Sequence, residues 1–341
     1  MNKLWNGSHI FAESCMFAQE RRSRLLFNAS KIEKIENPST GKVFTEGVDY
    51  THAPGSCIIE LTENSSIPFI PDSVIHPTEN LRIHPEKNAN AIGNAANGGY
   101  LLFNNQNFFA LNQVEVTYTA KNNDFVSGLD AQRDRLVRVR AKLATREMLK
   151  ITLHGDSISQ GYNSTKFTGT PPYNPCYMEQ VCAALPVSPC FINHALSGKG
   201  VKYSRSIKEQ WINDAPDLMV IAYGMNNFSS TPVGEFLEEV SWIMEENSKI
   251  SPDTEYIIVT PMTGNYEWKP TLPGPDLEYG NAMRRFVENS PVNVALADVQ
   301  KIWLKLLERK GFYDLSGNGV NHPNDYGHRV YASVILELLG F

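Results

Sequence analysis

The chain has 341 residues, of which 42% are hydrophobic and 20% are charged, and its formal net charge is −6. At about 100–200 residues per domain, this length suggests two domains or one large one. The apolar content excludes a disordered chain, which buries too little apolar surface to offset its conformational entropy. No long basic run is present, so nucleic acid is not expected as a partner. No stretch approaches the ~18 apolar residues of a membrane span, so no membrane partner is expected either.

The N-terminus and the cysteines bear on the compartment. Residues 1–8 lack the apolar core and the small-residue cleavage site of a secretory leader. The five cysteines are odd in number and contain no CxxC pair, which favours reduced thiols over a disulfide framework or a zinc ribbon. These features predict a cytoplasmic protein.

Up to residue 147, short apolar runs alternate with clusters of turn residues. Val114, Val116 and Tyr118 alternate with polar residues and share one face, as in a half-buried strand. The strand candidates are residues 24–27, 57–61, 100–103, 113–119 and 136–140. Turns are predicted at residues 37–41, 53–55 and 97–99, and a long loop at residues 85–97. This pattern predicts a small, jelly-roll-like antiparallel β-sandwich as a first domain, residues 1–147.

From residue 148 onward, strands and helices alternate. The strand candidates are residues 149–153, 190–192, 218–222, 256–259 and 292–296. The helix candidates are residues 175–185, 233–244, 279–286, 299–311 and 330–338. Such alternation predicts a second, α/β domain over residues 148–341, with a parallel sheet covered by helices on both faces. Because ligands bind at the carboxyl ends of parallel strands, the loops after the first four strands are the expected site.

The loop after the first of these strands contains Gly155, Asp156 and Ser157. A serine directly past a strand and flanked by glycine can sit in a tight turn with its hydroxyl available. A serine hydroxyl is a weak nucleophile and needs a neighbouring base. A phosphate-binding or purely structural turn would explain the same three residues.

Three further loops carry polar groups that could converge on such a serine. Gly198 follows the second strand and lets a backbone amide approach a ligand closely. Asn226 follows the third strand and can donate a side-chain N–H. His322 lies just before the last helix, with Pro323 in the first turn. Taken singly, each is equally compatible with an ordinary turn or loop residue.

Together, in this order on one α/β scaffold, the four segments resemble the SGNH (GDSL-type) hydrolases, a family of serine esterases and acetylesterases with a flavodoxin-like, three-layer domain. The resemblance covers roughly residues 148–341. It implies that Ser157 is the nucleophile and His322 the base. It also implies an oxyanion hole formed by the backbone N–H groups of Ser157 and Gly198 and the side-chain amide of Asn226. It implies neither a metal nor a cofactor.

One position departs from this family pattern. The family places an aspartate three residues before the histidine, where this chain has Gly319. A backbone carbonyl of residues 318–321, or Asp314 folding back, could orient His322 instead. Asp325 is expected to serve the N-terminus of the last helix, where a carboxylate meets free N–H groups. The sequence therefore predicts a serine–histidine dyad supported by a neutral acceptor.

Two other histidines compete for the role of base. His328 is expected inside the last helix. His194 lies within the second loop, away from the start of that helix.

The loops around the predicted site carry aromatic and amide side chains, which suit sugar rings, although ordinary loop packing would explain them equally well. The aromatics are Tyr162, Tyr173, Tyr266 and Trp268, and the amides are Asn163, Asn174 and Asn265. A β-sandwich ahead of such a domain resembles some carbohydrate acetylesterases, which implies an acetylated sugar or oligosaccharide as substrate. The alternatives are a general short-chain esterase or thioesterase, and a non-catalytic carbohydrate-binding protein with a degenerate site. A flavin- or nucleotide-binding protein is disfavoured because no GxGxxG follows the first strand.

Overall fold

The computed structural model describes Leu4, residues 7–121, Phe125, Leu129, Gln132 and residues 134–341. The expectation about a leader therefore falls partly on residues 1–3, 5 and 6, which lie outside the described residues. Within the described ranges, no helix combines the length and the apolar character needed to cross a bilayer. The five cysteines are free thiols.

The first part of the chain is built mainly from strands. They are β1 (His9–Cys15), β2 (Phe17–Ala18), β3 (Arg22–Asn37), β4 (Lys42–Phe44), β5 (Tyr50–His52), β6 (Ser56–Leu61), β7 (Phe69–Ile70), β8 (Ala91–Gly93), β9 (Tyr100–Leu102) and β10 (Val114–Ala120). Two short helices, α1 (Asp72–Ile75) and α2 (Phe108–Asn112), lie among them. Four of the five predicted strands are confirmed, as parts of β3, β6, β9 and β10.

Six of these strands form one sheet in the order β1-β10-β3-β6-β5, with β4 paired to β3. All pairings in this sheet are antiparallel. Val114, Val116 and Tyr118 on β10 are buried, as their alternation predicted. Two short ladders, β2 with β7 and β8 with β9, complete the set. The predicted antiparallel β architecture ahead of the α/β part is confirmed.

The fifth predicted strand, residues 136–140, is wrong: the chain forms helix α3 (Val137–Thr145) there. Leu136, Val139 and Leu143 are buried at helical spacing. The start of the helix is capped by a distant residue, because the Glu255 carboxylate accepts the N–H groups of Arg138 at 3.1 Å and Val139 at 2.8 Å. A five-residue run of alternating valine and arginine fits both the two-residue period of a strand and the ~3.6-residue period of a helix. The hydrogen bonds from Glu255 favour the helix.

The loop predicted over residues 85–97 is interrupted by β8, which is also a correction. Ala91 and Gly93 pair with Leu102 and Tyr100 on β9. Alanine and glycine are weak strand formers, so the sequence gives little local signal for β8. Pairing with β9 forms the strand.

The second part of the chain contains a five-stranded parallel sheet. Its strands are β11 (Lys150–Gly155), β12 (Cys190–Asn193), β13 (Leu218–Ala222), β14 (Glu255–Val259) and β15 (Val294–Ala297). They run in the order β12-β11-β13-β14-β15, and every pairing is parallel. This is the flavodoxin-like sheet that the sequence resemblance implied. The loops that carry Ser157, Gly198 and Asn226 therefore leave one edge of the sheet, from three adjacent strands.

Helices cover this sheet. Besides α3 they are α4 (Ser157–Gln160), α5 (Thr165–Thr168), α6 (Tyr177–Ala184), α7 (Tyr203–Ser206), α8 (Lys208–Trp211), α9 (Val233–Ile250), α10 (Pro275–Glu288), α11 (Val299–Leu307) and α12 (Asp325–Leu339). Short 3₁₀ turns lie at Lys269–Thr271 and Phe312–Asp314. Helices α6 and α11 pack on α12, whereas α7 and α10 pack on α9. The predicted helices are confirmed, except that the one predicted to reach Gly311 ends at Leu307.

The boundary predicted between residues 147 and 148 falls in the turn between α3 and β11. One continuous buried cluster runs from the antiparallel sheet into the parallel sheet and its helices. The division into two domains at this point stays a prediction.

The two parts of the chain are joined by a buried ion pair. Lys310 Nζ lies 2.6 Å from Glu13 Oε1 on β1, and both side chains are fully buried. Tyr118 Oη donates to Glu13 Oε2 at 2.7 Å, and the N–H of Leu26 donates to Glu13 Oε1 at 2.8 Å. Lys310 also donates to the Arg24 carbonyl at 3.0 Å. A buried pair satisfied in this way fixes the relative position of the two parts more than it adds stability.

We expect Lys310→Met to lower the free energy of unfolding by about 3–5 kcal/mol, because it leaves the Glu13 carboxylate buried without its cation. Urea denaturation of Lys310→Met and of the double variant Glu13→Gln/Lys310→Met measures this. The double variant should recover part of the loss, since glutamine carries no charge, its Oε1 can accept the N–H of Leu26 and its Nε2 can donate to Tyr118 Oη. Equal losses in the single and double variants would contradict the interpretation.

Candidate active site

Ser157 lies at the end of β11, where strand turns into helix. Asp156 caps α4 by accepting the N–H of Ile158 at 3.0 Å, and Ser157 is the first residue of the helix. A Cβ on Gly155 would lie 2.3 Å from Ser159 Oγ and 3.0 Å from the Ala222 carbonyl. Glycine is therefore required at position 155 for the turn to close against β13.

His322 lies on a tight loop before α12. Asn318 Oδ1 accepts the N–H groups of Val320, Asn321 and His322, each at 3.0 Å. The same stretch is tied back by a bond from the N–H of Gly317 to the His322 carbonyl at 2.8 Å. One asparagine side chain thus sets the shape of the loop that presents the histidine. Nothing in the sequence marks this role of Asn318 beyond its position next to Gly319.

The structure brings Ser157 and His322 together. Ser157 Oγ lies 2.8 Å from His322 Nε2. The other ring nitrogen, Nδ1, lies 2.7 Å from Asn163 Oδ1 and 3.0 Å from Asn318 Nδ2. The acceptor at Nδ1 is therefore neutral, but it is a side chain on the first loop, which sequence reasoning had considered only as a sugar-binding amide. No local motif marks Asn163, because its partner lies 159 residues away.

Of the carbonyls of residues 318–321, expected as acceptors for the ring, three accept hydrogen bonds from other residues. The Asn318 carbonyl accepts the N–H of Asn104 at 3.2 Å. The Gly319 carbonyl accepts Asn265 Nδ2 at 3.1 Å, and the Val320 carbonyl accepts the N–H of Asn265 at 2.7 Å. The loops that carry Asn104 and Asn265 therefore engage the carbonyls of Asn318, Gly319 and Val320.

The position where the family carries its aspartate is closed by packing. Gly319 has a φ of +89°, and a Cβ there would lie 2.3 Å from the Leu102 carbonyl at the end of β9. A side chain is therefore excluded by the backbone of the N-terminal part of the chain. This close approach explains the departure that the sequence shows at this position.

The two aspartates considered for the role of the acid serve other groups. Asp314 accepts the N–H of Met16 at 2.7 Å and of Gly311 at 2.9 Å. Asp325 is the first residue of α12 and accepts the N–H and the hydroxyl of Thr165 at 2.8 and 2.7 Å. In the described part of the chain, no carboxylate hydrogen-bonds to the ring of His322.

The two rival histidines lie in other networks. His194 Nε2 is 2.6 Å from Asp214 Oδ2. His328 lies inside α12, as expected, and its Nε2 is 3.3 Å from the Tyr162 carbonyl. The histidine that hydrogen-bonds to the Ser157 hydroxyl is His322.

The two loop residues expected in the oxyanion hole line the same groove. Gly198, with a φ of +74°, and Asn226 both line a shallow groove at the strand ends. Asn226 Nδ2 donates to the Lys199 carbonyl at 3.1 Å. Because an amide nitrogen carries two hydrogens, Asn226 keeps one for a further acceptor. The N–H of Leu196 donates to the Gly155 carbonyl at 3.2 Å, which ties this loop to the serine turn.

The aromatic residues expected around the substrate separate into different environments. The ring of Tyr162 packs edge-on against His322, with ring centres 5.4 Å apart. Tyr173 is 57% exposed. Tyr266 donates its hydroxyl to Asp276 at 2.9 Å, and Trp268 packs against a small cluster that includes Val320 of the histidine loop. Of the four, the structure brings Tyr162 against the serine–histidine pair.

The three amides expected near a sugar each hydrogen-bond to other residues of the protein, and their contact with substrate stays a prediction. Asn163 contacts His322, and Asn265 holds the carbonyls of the histidine loop. Asn174 donates to Asp325 at 3.0 Å. Loop amides with acceptors nearby satisfy the backbone first.

The site is buried and carries little formal charge near neutral pH. Burial, and to a smaller extent His328, lowers the pKa of the His322 imidazole to about 3. Burial raises the pKa of Asp156, next to the serine, to about 7. His322 is therefore neutral at pH 7, with a free lone pair to accept a proton. Among the described residues, no group of three or more histidine, cysteine, aspartate or glutamate side chains is placed to hold a metal ion.

A serine hydroxyl hydrogen-bonded to a buried histidine at the carboxyl edge of a parallel sheet is an arrangement that serine hydrolases use. A model of the GDSL-like lipase/acylhydrolase family matches residues 153–330, just over half of the chain. The chain therefore belongs to this family, and the resemblance seen in the sequence motifs is confirmed. It is a hydrolase of carboxylic esters.

Comparison with other known proteins gave two kinds of result. No curated protein matched the chain. Among solved structures, the chain is similar to Axe2, an acetylxylan esterase from Geobacillus stearothermophilus, at 20% identity and a TM-score of 0.46, over 57% of this chain and 94% of that one. It is also similar to a member of the lipolytic G-D-S-L family from Veillonella parvula, at 19% identity and a TM-score of 0.45, over 56% of this chain and 97% of that one.

The depressed pKa of His322 predicts a specific pH dependence of stability. The group has its ordinary pKa of 6.5 in the unfolded chain and about 3 in the folded protein. Below pH 6.5 the unfolded chain binds a proton that the folded protein does not, so the free energy of unfolding falls as the pH falls towards 3. From pH 7.5 to 5, the wild type should lose about 2 kcal/mol relative to His322→Gln.

Urea denaturation of the wild type and His322→Gln at both pH values measures this difference. Because the two proteins share every other titrating group, the difference isolates His322. An unchanged difference between pH 7.5 and 5 would show that His322 keeps its ordinary pKa in the folded protein.

Proposed function

We propose that the chain is a serine esterase that removes short acyl groups, in particular acetyl groups, from sugars or oligosaccharides. The observation that carries this proposal is the 2.8 Å contact between Ser157 Oγ and His322 Nε2 in a chain of the acylhydrolase family. Ser157 is the proposed nucleophile and His322 the proposed base.

The proposed reaction has two halves. Ser157 Oγ attacks the ester carbonyl carbon as its proton passes to His322 Nε2. The tetrahedral intermediate then collapses, the bond to the sugar oxygen breaks, and that oxygen takes the proton from Nε2. A water molecule attacks the acyl-enzyme in the same way, giving acetate and free Ser157.

The oxyanion of each tetrahedral intermediate needs hydrogen-bond donors. Ser157 opens α4, so its backbone N–H is one of the unpaired donors of a helix start. The N–H of Gly198 and the second amide hydrogen of Asn226 are the other proposed donors. One such donor is typically worth about 100–1,000-fold in rate.

A polar substrate is supported by the surroundings of the pair. Residues 104–107 of the N-terminal part form an amide-rich loop in which Asn105, Gln106 and Asn107 are exposed. Asn105 Oδ1 accepts from Asn318 Nδ2 at 3.3 Å, so this loop borders the histidine loop. Exposed amides next to the histidine loop suit the hydroxyls of a sugar, and the ring of Tyr162, which packs against His322, suits its faces. Long-chain lipid esters offer no groups for such amides.

The alternatives are separated by activity measurements. A general short-chain esterase or thioesterase would use the same pair without preferring sugar esters. A carbohydrate-binding protein with a degenerate site would hydrolyse no ester.

We expect Ser157→Ala and His322→Ala each to lose nearly all turnover of p-nitrophenyl acetate, because each removes one half of the proton transfer. Acetate release from acetylated xylo-oligosaccharides and acetylated monosaccharides should exceed release from p-nitrophenyl acetate in kcat/KM. Full activity of folded Ser157→Ala would refute the proposal. Equal kcat/KM for sugar and aryl esters would favour a general esterase.

We expect Asp314→Asn and Asp325→Asn each to keep kcat within about 5-fold of the wild type, because a catalytic acid would be worth far more. Neither carboxylate hydrogen-bonds to His322. Kinetics on variants shown to be folded by circular dichroism test this. A collapse of kcat in one of them, with folding intact, would identify it as a triad acid.

A further inference from the structure

Asn163 is a buried asparagine that contacts the proposed base directly. It is 6% exposed, and its Oδ1 lies 2.7 Å from His322 Nδ1. We propose that Asn163 is the positioning residue of this site, holding His322 in the orientation and tautomer that let Nε2 receive the Ser157 proton. This inference rests on the function proposed above for Ser157 and His322.

The hydrogen-bond network assigns the proton on the ring. Asn318 Oδ1 accepts three backbone N–H groups, so its Nδ2 must face the ring. The two hydrogens on that Nδ2 have oxygen acceptors, Asn321 Oδ1 at 2.9 Å and Asn105 Oδ1 at 3.3 Å. Neither hydrogen needs the ring nitrogen. The ring therefore carries its hydrogen on Nδ1 and donates it to Asn163, which leaves the lone pair on Nε2 for the serine.

The backbone holds Asn163 in a conformation that few residues adopt. Its φ is +62°, in the left-handed region that asparagine tolerates better than most side chains. A Cβ on Gly317 of the histidine loop would lie 2.7 Å from the Cβ of Asn163, so the two loops are in close contact there. Asn163 Nδ2 also faces the Asn104 carbonyl at 3.5 Å. Contacts with His322, Gly317 and Asn104 thus hold Asn163 in place in the absence of substrate.

A neutral amide also suits the burial of this site. A carboxylate in its place would be buried beside a neutral histidine, at a desolvation cost that only an imidazolium would offset. The amide avoids this cost in the resting protein. In return, it stabilises the transient imidazolium less than a carboxylate would.

Three variants test the role of Asn163. Asn163→Gly removes the side chain and tolerates the positive φ. Asn80→Gly is the matched control, because Asn80 is exposed and has a φ of +53°. Asn163→Asp replaces the amide by a carboxylate of the same shape. Each is assayed with p-nitrophenyl acetate for kcat, KM and the pH profile of kcat/KM.

We expect Asn163→Gly to lower kcat by about 100-fold with KM within about 3-fold of the wild type, since general base catalysis fails when the ring is not oriented. Asn80→Gly should match the wild type. Asn163→Asp should keep most of kcat at pH 8 and move the acidic limb of kcat/KM to higher pH by about 1–3 units, because a carboxylate raises the pKa of His322.

A purely structural asparagine would not move that acidic limb. A pH profile of Asn163→Asp that superimposes on the wild type would overturn the inference, as would folded Asn163→Gly with kcat within 3-fold of Asn80→Gly. If Asn163→Gly does not fold, the Asn163→Asp profile decides. Because Ser157→Ala tests the nucleophile separately, loss of activity in that variant with no effect at Asn163 would refute this inference alone.

Discussion

The geometry of the site depends on one constraint, the close contact between the histidine loop and the N-terminal part of the chain. The Leu102 carbonyl occupies the space that a side chain at Gly319 would need. Gln113 Nε2 donates to the carbonyls of Tyr313 and Ser316, at 2.7 and 2.8 Å. These contacts hold the loop that carries His322 against the N-terminal part. The N-terminal part is therefore a component of the candidate site and not an appendage to it.

This contact has an electrostatic consequence. With no room for a carboxylate at position 319, the ring of His322 meets the amide oxygen of Asn163 instead. A neutral pair costs less to bury than an ion pair, and it keeps the base unprotonated in mild acid. In the resting protein, His322 is therefore unprotonated over a wide pH range. In the transition state, Asn163 stabilises the imidazolium of His322 less than an aspartate would.

The elements that can be predicted from the sequence are those whose signal is local or strongly periodic. Parallel strands buried on both faces appear in the sequence as apolar runs. The half-buried strand β10 appears as an alternation of apolar and polar residues. The motifs placed Ser157 after the first strand of the α/β part and His322 just before the last helix, and the structure brings the two side chains into contact. Residues 136–140 were predicted as a strand and form the start of a helix, because five residues fit both a strand and a helix pattern. Glu255, more than a hundred residues away, caps the helix.

The sequence by itself determined the α/β class, the order of its elements and the family, because these follow from periodicity and from short motifs whose spacing is local. It also showed that the usual aspartate is missing. Only the tertiary structure decided what takes its place, since Asn163 reaches His322 through contacts between residues 159 positions apart. The tertiary structure also explains why no aspartate stands at position 319, because the Leu102 carbonyl occupies the space that its side chain would need. Such contacts depend on how the two sheets pack, and no pattern along the chain encodes that packing.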